Sequence, residues 1–182
     1  MLDVDAGARE ILKGGIVAFP TETVYGLAAS ASDAEAQYRI YEVKNRPRAM
    51  PLILMVAEPD ELEGWVEVDE RARRFMVRFW PGPLTLVLKR PGASPTLGVR
   101  IPDHPLAQRL LRIAGPLMTT SANLSGEPAA LTAEEAATLP GLAGVLDGGP
   151  VPGGQASTVL DLTGETPRIL REGPLTAVDL GF

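Results

Sequence analysis

The stretch from Ile16 to Ser30 reads IVAFPTETVYGLAAS, and its change from apolar to polar residues recurs along the chain. Its apolar run from Ile16 to Phe19 predicts a buried strand. Pro20 ends that strand, because proline has no backbone N–H to donate to a sheet. The polar segment Thr21-Glu22-Thr23 follows directly. Open sheets usually bind ligands at strand ends, so we expect this segment to line a binding site.

Strand and helix signals alternate through the rest of the sequence. They predict a mixed α/β (α+β) fold in one domain, residues 1–182, with a mixed sheet covered by helices. Aspartates are expected to cap two of the helices, and proline or glycine to end several of them. The predicted strands are 16–19, 52–56, 85–88, 97–101, 117–120, 144–146, 158–162 and 168–170, and the predicted helices are 8–13, 33–45, 69–80, 105–115 and 133–138.

Composition narrows the functional class. The chain has 182 residues, of which 45% are hydrophobic and 22% charged, as in ordinary globular proteins. It has no cysteine, which excludes disulfides, zinc–thiolate sites and cysteine nucleophiles. It has no apolar run long enough for a membrane span, and its N-terminus lacks the apolar core of a secretory signal. These features predict a cytoplasmic enzyme or binding protein with no membrane association.

The net charge of −6 is unevenly distributed. From Lys44 to Arg112 there are 12 basic and 8 acidic residues, whereas the remainder is strongly acidic. A basic middle in an acidic chain predicts a local anion site rather than a surface that coats nucleic acid.

Two polar segments carry the main candidates for an anion site. Lys44, Arg46 and Arg48 stand near a predicted helix C-terminus, where they could complement the helix dipole or bind a polyphosphate. The sequence TTSANLSGEP follows a short strand. Its hydroxyl and amide groups suit either a phosphate site or an ordinary turn. The residue types alone leave both choices open.

Other catalytic schemes fit poorly. The glycine-rich DGGPVPGGQASTV has neither the P-loop nor the dinucleotide pattern, and it predicts a mobile loop before a strand. His104 is the only histidine, so a histidine-rich metal site is excluded, and its place at a helix start favours a capping role.

Seven signatures occur in order over about residues 11–173: FPTETVYGLAA, YEVKNRPRAMPLIL, FWPGPLTLVL, VRIPDHPLA, TTSANLSGEPA, DGG and STVLDL, with ILREG near the end. In this ordered set the chain resembles the YrdC-like family of threonylcarbamoyl-AMP synthases. The resemblance implies an open, twisted mixed sheet with a concave, positively lined cavity, in the short single-domain bacterial form. It also implies that L-threonine, bicarbonate or CO₂, and ATP give threonylcarbamoyl-adenylate and pyrophosphate.

The same resemblance implies the partners. Mg²⁺ would be held by the ATP phosphates, with no protein metal site and no permanent cofactor. The product would pass to a separate tRNA threonylcarbamoyl transferase complex, which modifies the adenosine beside the anticodon. A weak direct contact with tRNA is compatible with this.

The resemblance also assigns the site residues. Lys44 and Arg46 would act on the ATP phosphates as catalytic residues. The threonine contacts would be Thr21, Arg100, Thr119 and Thr158. The remaining ATP contacts would be Arg48, Ser121, Asn123, Ser157 and Arg171. Met55 stands where many longer relatives have a histidine that contacts threonine.

Two alternatives belong to other classes. Hydrogenase-maturation carbamoyltransferases contain a related domain that adenylates a carbamate, but they join it to cysteine zinc fingers. An RNA-binding module could use the basic middle of the chain. The sequence pI of about 4.9 and the lack of an aromatic stacking platform weigh against that module.

Overall fold

The computed structural model describes residues 1–92 and 95–182. Nine strands form one mixed sheet in the order β7-β1-β2-β6-β3-β5-β4-β8-β9. The strands are β1 (Val17–Phe19), β2 (Gly26–Ser30), β3 (Ile53–Met55), β4 (Leu84–Leu88), β5 (Leu97–Arg100), β6 (Leu117–Ser121), β7 (Gly144–Val145), β8 (Thr158–Asp161) and β9 (Arg168–Arg171). The predicted open mixed sheet is therefore confirmed, and each predicted strand is present.

Six α-helices and one 3₁₀ helix pack around the sheet in the part of the chain that the structure describes. The α-helices are α1 (Val4–Leu12), α2 (Ala34–Lys44), α3 (Glu70–Phe79), α4 (Pro105–Ala114), α5 (Ala133–Ala136) and α6 (Ala177–Leu180), and the 3₁₀ helix is Pro59–Leu62. Asp33 and Asp69 cap α2 and α3 through their side chains, as predicted. The helices within the described ranges are all too short or too polar to cross a bilayer.

Among the α-helices and strands, three elements differ from the prediction. α1 begins at Val4 rather than Ala8, because the Asp3 carboxylate accepts the Ala6 N–H at 2.7 Å and caps an earlier turn. β2 and α6 were not predicted at all. The small residues of β2 have weak strand propensity, but β2 lies between β1 and β6 and all five of its residues are buried.

The pleat of the sheet decides where the polar residues lie. Leu54, Leu86 and Val99 point to one face, where they pack in a core with residues of α3. On the opposite face α1 and α4 cover Met55 and Leu117. Cross-strand partners share a face, and Arg100 pairs with Met55, so Arg100 lies on this second face.

Candidate active site

The segment after β1 forms a compact hydroxyl-bonded turn. The Thr21 hydroxyl donates to the Val24 carbonyl at 2.6 Å and accepts the backbone N–H groups of Thr23 and Val24, both at 3.2 Å. Its proton is thereby used, so the Thr23 hydroxyl donates in the 2.9 Å bond between the two threonines. Both side chains are buried.

Arg100 connects this turn to the centre of the sheet. Its guanidinium donates to the Gly82 carbonyl at 3.1 Å, to the Thr23 hydroxyl at 3.2 Å and to the Glu22 carboxylate at 2.6 Å. Burial lowers the pKa of Arg100, and the nearby Glu22 carboxylate opposes that shift. The sequence left Glu22 without an assigned partner, and the structure pairs it with Arg100.

Glu22 keeps one oxygen out of this network. Its Oε1 accepts from Arg100, whereas Oε2 is buried and has no hydrogen-bond partner among the described residues. A buried carboxylate oxygen without a partner is costly, and such groups often occur at functional sites.

Lys44, the last residue of α2, is completely buried. Its ammonium donates to the Ser121 carbonyl, to the Asn123 carbonyl at 2.5 Å and to the Asn123 side-chain oxygen at 3.3 Å. Burial, with a smaller contribution from the charge of Arg46, lowers the pKa of Lys44 to about 8. The structure therefore brings together Lys44, Ser121 and Asn123, which are far apart in sequence.

Arg46 and Arg48 take different directions. Arg46 donates to the Met50 carbonyl at 3.1 Å and to the Pro51 carbonyl at 3.2 Å, and burial lowers its pKa. Arg48 is exposed, donates to the Tyr38 hydroxyl and lies over that ring at 4.3 Å from its centre. The structure thus directs Arg48 to the surface of α2.

Arg171 at the end of β9 supplies a third nearby guanidinium. It donates to the Ser157 carbonyl at 2.8 Å and to the Ser157 hydroxyl at 3.2 Å. Its pKa is lowered, first by burial and then by the charges of Arg100 and Arg46. Arg171 is therefore within electrostatic reach of both Arg100 and Arg46, an arrangement suited to binding a polyanion.

The remaining predicted threonine contacts divide between the two faces. Thr119 lies two residues from Leu117, on the face of Arg100, and its hydroxyl donates to the Ile53 carbonyl at 3.0 Å. Thr158 is wholly buried on the other face, where its hydroxyl donates to the Leu175 carbonyl at 2.8 Å. The side chain of Thr158 is thus separated from the other predicted contacts, because neighbouring strand residues point to opposite faces.

Several supporting residues could not be identified from the sequence. Thr85 on β4 bonds the Ser157 hydroxyl at 2.8 Å, but an isolated threonine within a strand carries no functional signal. The Tyr25 hydroxyl donates to the Gly149 carbonyl at 2.8 Å and so ties the glycine-rich loop to the start of β2. His104 Nδ1 accepts the Leu106 N–H at 3.2 Å, which confirms the predicted capping role.

A metal site and a surface groove are two other possible sites, and neither involves the predicted site residues. Within residues 1–92 and 95–182, no three or more histidine, cysteine or acidic residues gather as a metal site would require. A groove of about 910 Å³ runs between the 3₁₀ helix, α3 and α4. It is lined by residues such as Val66, Met76 and Trp80 and by none of the predicted site residues. The polar chemistry is concentrated around Arg100 and Lys44 instead.

Comparison with known proteins gives a consistent result. A family model for Sua5, YciO and YrdC proteins, described as telomere recombination, matches residues 9–173. A threonylcarbamoyl-AMP synthase of Bacillus subtilis is 47% identical in an alignment of length 174 that covers 88% of this chain and 50% of that relative. The chain therefore spans about half the length of this curated relative.

Two solved structures match along almost the whole chain. Pyrococcus abyssi Sua5 complexed with L-threonine has a TM-score of 0.92 and 40% identity, covering 97% of this chain and 56% of that one. Escherichia coli YciO has a TM-score of 0.85 and 30% identity, covering 95% of this chain and 90% of that one.

Proposed function

The chain belongs to the Sua5/YciO/YrdC family, and on that premise we propose that it is a threonylcarbamoyl-AMP synthase. It would form threonylcarbamoyl-adenylate and pyrophosphate from L-threonine, bicarbonate or CO₂, and ATP. The observation that carries the proposal most directly is the likeness over nearly the whole chain to a structure that holds L-threonine.

The chemistry suits a site built from fixed charges and hydroxyls. The threonine nitrogen loses a proton and forms a bond to the carbon of CO₂, which gives a carbamate. A carbamate oxygen then forms a bond to the α-phosphorus of ATP, and the bond to the pyrophosphate oxygen breaks. Such a displacement depends mainly on alignment and charge neutralisation, so a site without histidine or cysteine is sufficient.

We assign the turn after β1 to the threonine half of the site. Thr21, Arg100 and Thr119 would surround threonine, with Arg100 held in place by Glu22 and Thr23. Thr158 would act only through its backbone, since its side chain is bonded to Leu175 on the other face.

We assign the positive end of the site to the nucleotide. Arg46 and Arg171 would face the phosphates, and Lys44 lies in the same half of the site. Arg48 would contact the phosphates only if its side chain moved away from Tyr38. Ser121, Asn123 and Ser157 would complete the nucleotide contacts. Mg²⁺ would arrive on the ATP phosphates, because this ion usually takes its ligands from substrate phosphates and water with few protein groups.

The partners follow from the reaction. The adenylate would be consumed by a separate transferase complex that modifies tRNA, and a weak tRNA contact is compatible with the basic residues. We place this activity in the cytoplasm, with no membrane association and no permanent cofactor.

Pyrophosphate release from ATP and Mg²⁺ tests the proposal. We expect release that requires L-threonine and bicarbonate and that other amino acids do not support. Release that needs carbamoyl phosphate and ignores threonine would contradict the proposal in favour of the carbamoyltransferase reaction. Salt-sensitive tRNA binding with no ATP turnover would contradict it in favour of an RNA-binding module.

A further inference from the structure

The bonding of Lys44 is unusual for a residue expected to contact phosphate. An ammonium has three N–H donors, and here it faces three acceptors: two carbonyl oxygens and the Asn123 side-chain oxygen. The residue has no exposed surface. No donor of Lys44 is therefore left to bind an ATP oxygen.

We infer that Lys44 is a positioning residue: its ammonium fixes the segment 121–125 to the end of α2, and the phosphate-facing charge comes from Arg46 and Arg171. Only the statement that Arg46 and Arg171 face the phosphates rests on the proposed function. The attachment of the segment to α2 stands independently of the reaction.

The attachment uses both the side chain and the backbone of Lys44. While the ammonium holds the carbonyls of Ser121 and Asn123, the Lys44 carbonyl accepts the Ser125 N–H at 2.9 Å. The Asn123 amide group then donates to the Leu124 carbonyl at 2.8 Å and the Glu127 carbonyl at 2.9 Å. Removal of the ammonium would take a donor away from the Ser121 and Asn123 carbonyls and would loosen the whole segment.

Arg46 and Arg171 differ from Lys44 in the bonds that they leave free. Arg46 is partly exposed and donates through Nε and one Nη2 bond, so several of its five N–H groups remain for a ligand. Arg171 is exposed and donates only to Ser157 through Nε and Nη2. A planar guanidinium with free donors also matches phosphate oxygens better than a buried ammonium does.

The first test uses the unaltered protein and its three lysines, Lys13, Lys44 and Lys89. Brief acetylation followed by peptide mass spectrometry should modify Lys44 at least about tenfold more slowly than the two exposed lysines, with or without ATP. An accessible amine of lowered pKa would react faster than an ordinary lysine, so slow reaction reports burial. Fast modification of Lys44 that ATP prevents would overturn the inference.

The second test compares Lys44→Met with the control Arg46→Ala by calorimetric titration with ATP and with adenosine. Lys44→Met should weaken both ligands by a similar factor, whereas Arg46→Ala should weaken ATP by about tenfold or more and leave adenosine unchanged. Hydrogen exchange over residues 121–127 should rise only in Lys44→Met.

Selective loss of ATP affinity in Lys44→Met, with adenosine affinity and exchange as in the unaltered protein, would contradict the positioning role. If Lys44→Met does not fold, the acetylation result decides the inference alone. If the unaltered protein binds neither nucleotide, the proposed function fails, while acetylation and exchange still decide whether Lys44 holds the segment.

Discussion

Glu22 and Arg100 form the most deeply buried ion pair of the described residues. Their side chains are 20% and 4% exposed, and the two charged groups approach to 2.6 Å. Arg100 also depends on Thr23 and Gly82 for hydrogen bonds. The carboxylate therefore holds a buried guanidinium in one position, beside the turn that we propose for the threonine half of the site.

Glu22→Gln removes the charge that compensates Arg100 and should destabilise the protein by about 2–3 kcal/mol, because a buried guanidinium remains unpaired. We also expect the KM for threonine to rise more than the KM for ATP. Urea unfolding and steady-state pyrophosphate release measure the two effects.

Asp5→Asn is the matched control for Glu22→Gln. Asp5 and Arg109 approach to 2.7 Å, but their side chains are 51% and 60% exposed. Solvent screens such a pair, so the loss should be less than about 1 kcal/mol with no change in KM. Equal losses of unfolding free energy in Glu22→Gln and Asp5→Asn would show that burial does not strengthen the Glu22–Arg100 pair.

The lowered pKa of Lys44 predicts a pH dependence of stability. The unfolded amine binds its proton up to about pH 10.5, whereas the folded amine releases it near pH 8. Between these values folding releases a proton, so the free energy of unfolding gains a contribution as the pH rises. Compared with Lys44→Met, the unaltered protein should gain up to about 2 kcal/mol between pH 7 and 9.5.

Denaturant unfolding of both proteins at the two pH values measures that gain. The contribution belongs to Lys44 because the variant shares every other titrating group. A difference between the two proteins that does not change with pH would mean that the amine is protonated normally in the folded state.

For single residues, the sequence predicted which side chains come together better than it predicted what each side chain bonds to. It selected Lys44, Arg46, Ser121 and Asn123 as one set, and the structure brings the Lys44 ammonium within hydrogen-bond distance of Ser121 and Asn123. It could not predict that Lys44 directs its donors to two backbone carbonyls and to the Asn123 side-chain oxygen. Those bonds depend on how the end of α2 meets the end of β6, which no local pattern encodes.

At the scale of elements, the glycine-rich loop packs against the turn after β1. The Gly154 N–H donates to the Thr23 carbonyl at 3.0 Å. A Cβ atom on Gly153 would lie 2.4 Å from the Thr23 carbonyl oxygen and 2.8 Å from that of Glu22. Only glycine therefore permits this approach of two backbones.

Gly153→Ala should push the loop away from the turn, raise the KM for threonine and cost about 1–3 kcal/mol in stability. Gly164→Ala is the control, because a Cβ there would meet its nearest atom at an ordinary 3.8 Å. Thermal unfolding and the threonine KM measure both variants. An unchanged KM for threonine in Gly153→Ala would mean that the loop does not affect the threonine half of the site.

Periodic and capped elements were predictable, whereas elements defined by their neighbours were not. Helix α3 has a capping aspartate and an apolar stripe in its own sequence. Strand β2, reading GLAAS, is a strand because β1 and β6 pair with both of its edges. α6 has only four residues and depends on the capping box of Thr176 and Asp179.

At the scale of the whole molecule, the basic middle of the sequence predicted a local anion site, and two of its arginines, Arg46 and Arg100, lie within electrostatic reach of Arg171. The three arginines come from separate parts of the chain, and Arg171 lies beyond the basic middle. The order of the nine strands could not be read from composition or periodicity, because the neighbours β2 and β6, and β4 and β8, are far apart in sequence. The resemblance supplied the expectation of an open mixed sheet.

The most direct test of the central claim follows the carbon of bicarbonate into the product. The protein is incubated with ATP, Mg²⁺, L-threonine and ¹³C-bicarbonate, and the nucleotides are analysed by mass spectrometry. We predict an adenylate that contains threonine and is one mass unit heavier than the product from unlabelled bicarbonate. An unlabelled product, or no threonine-containing adenylate while ATP is bound, would contradict the account.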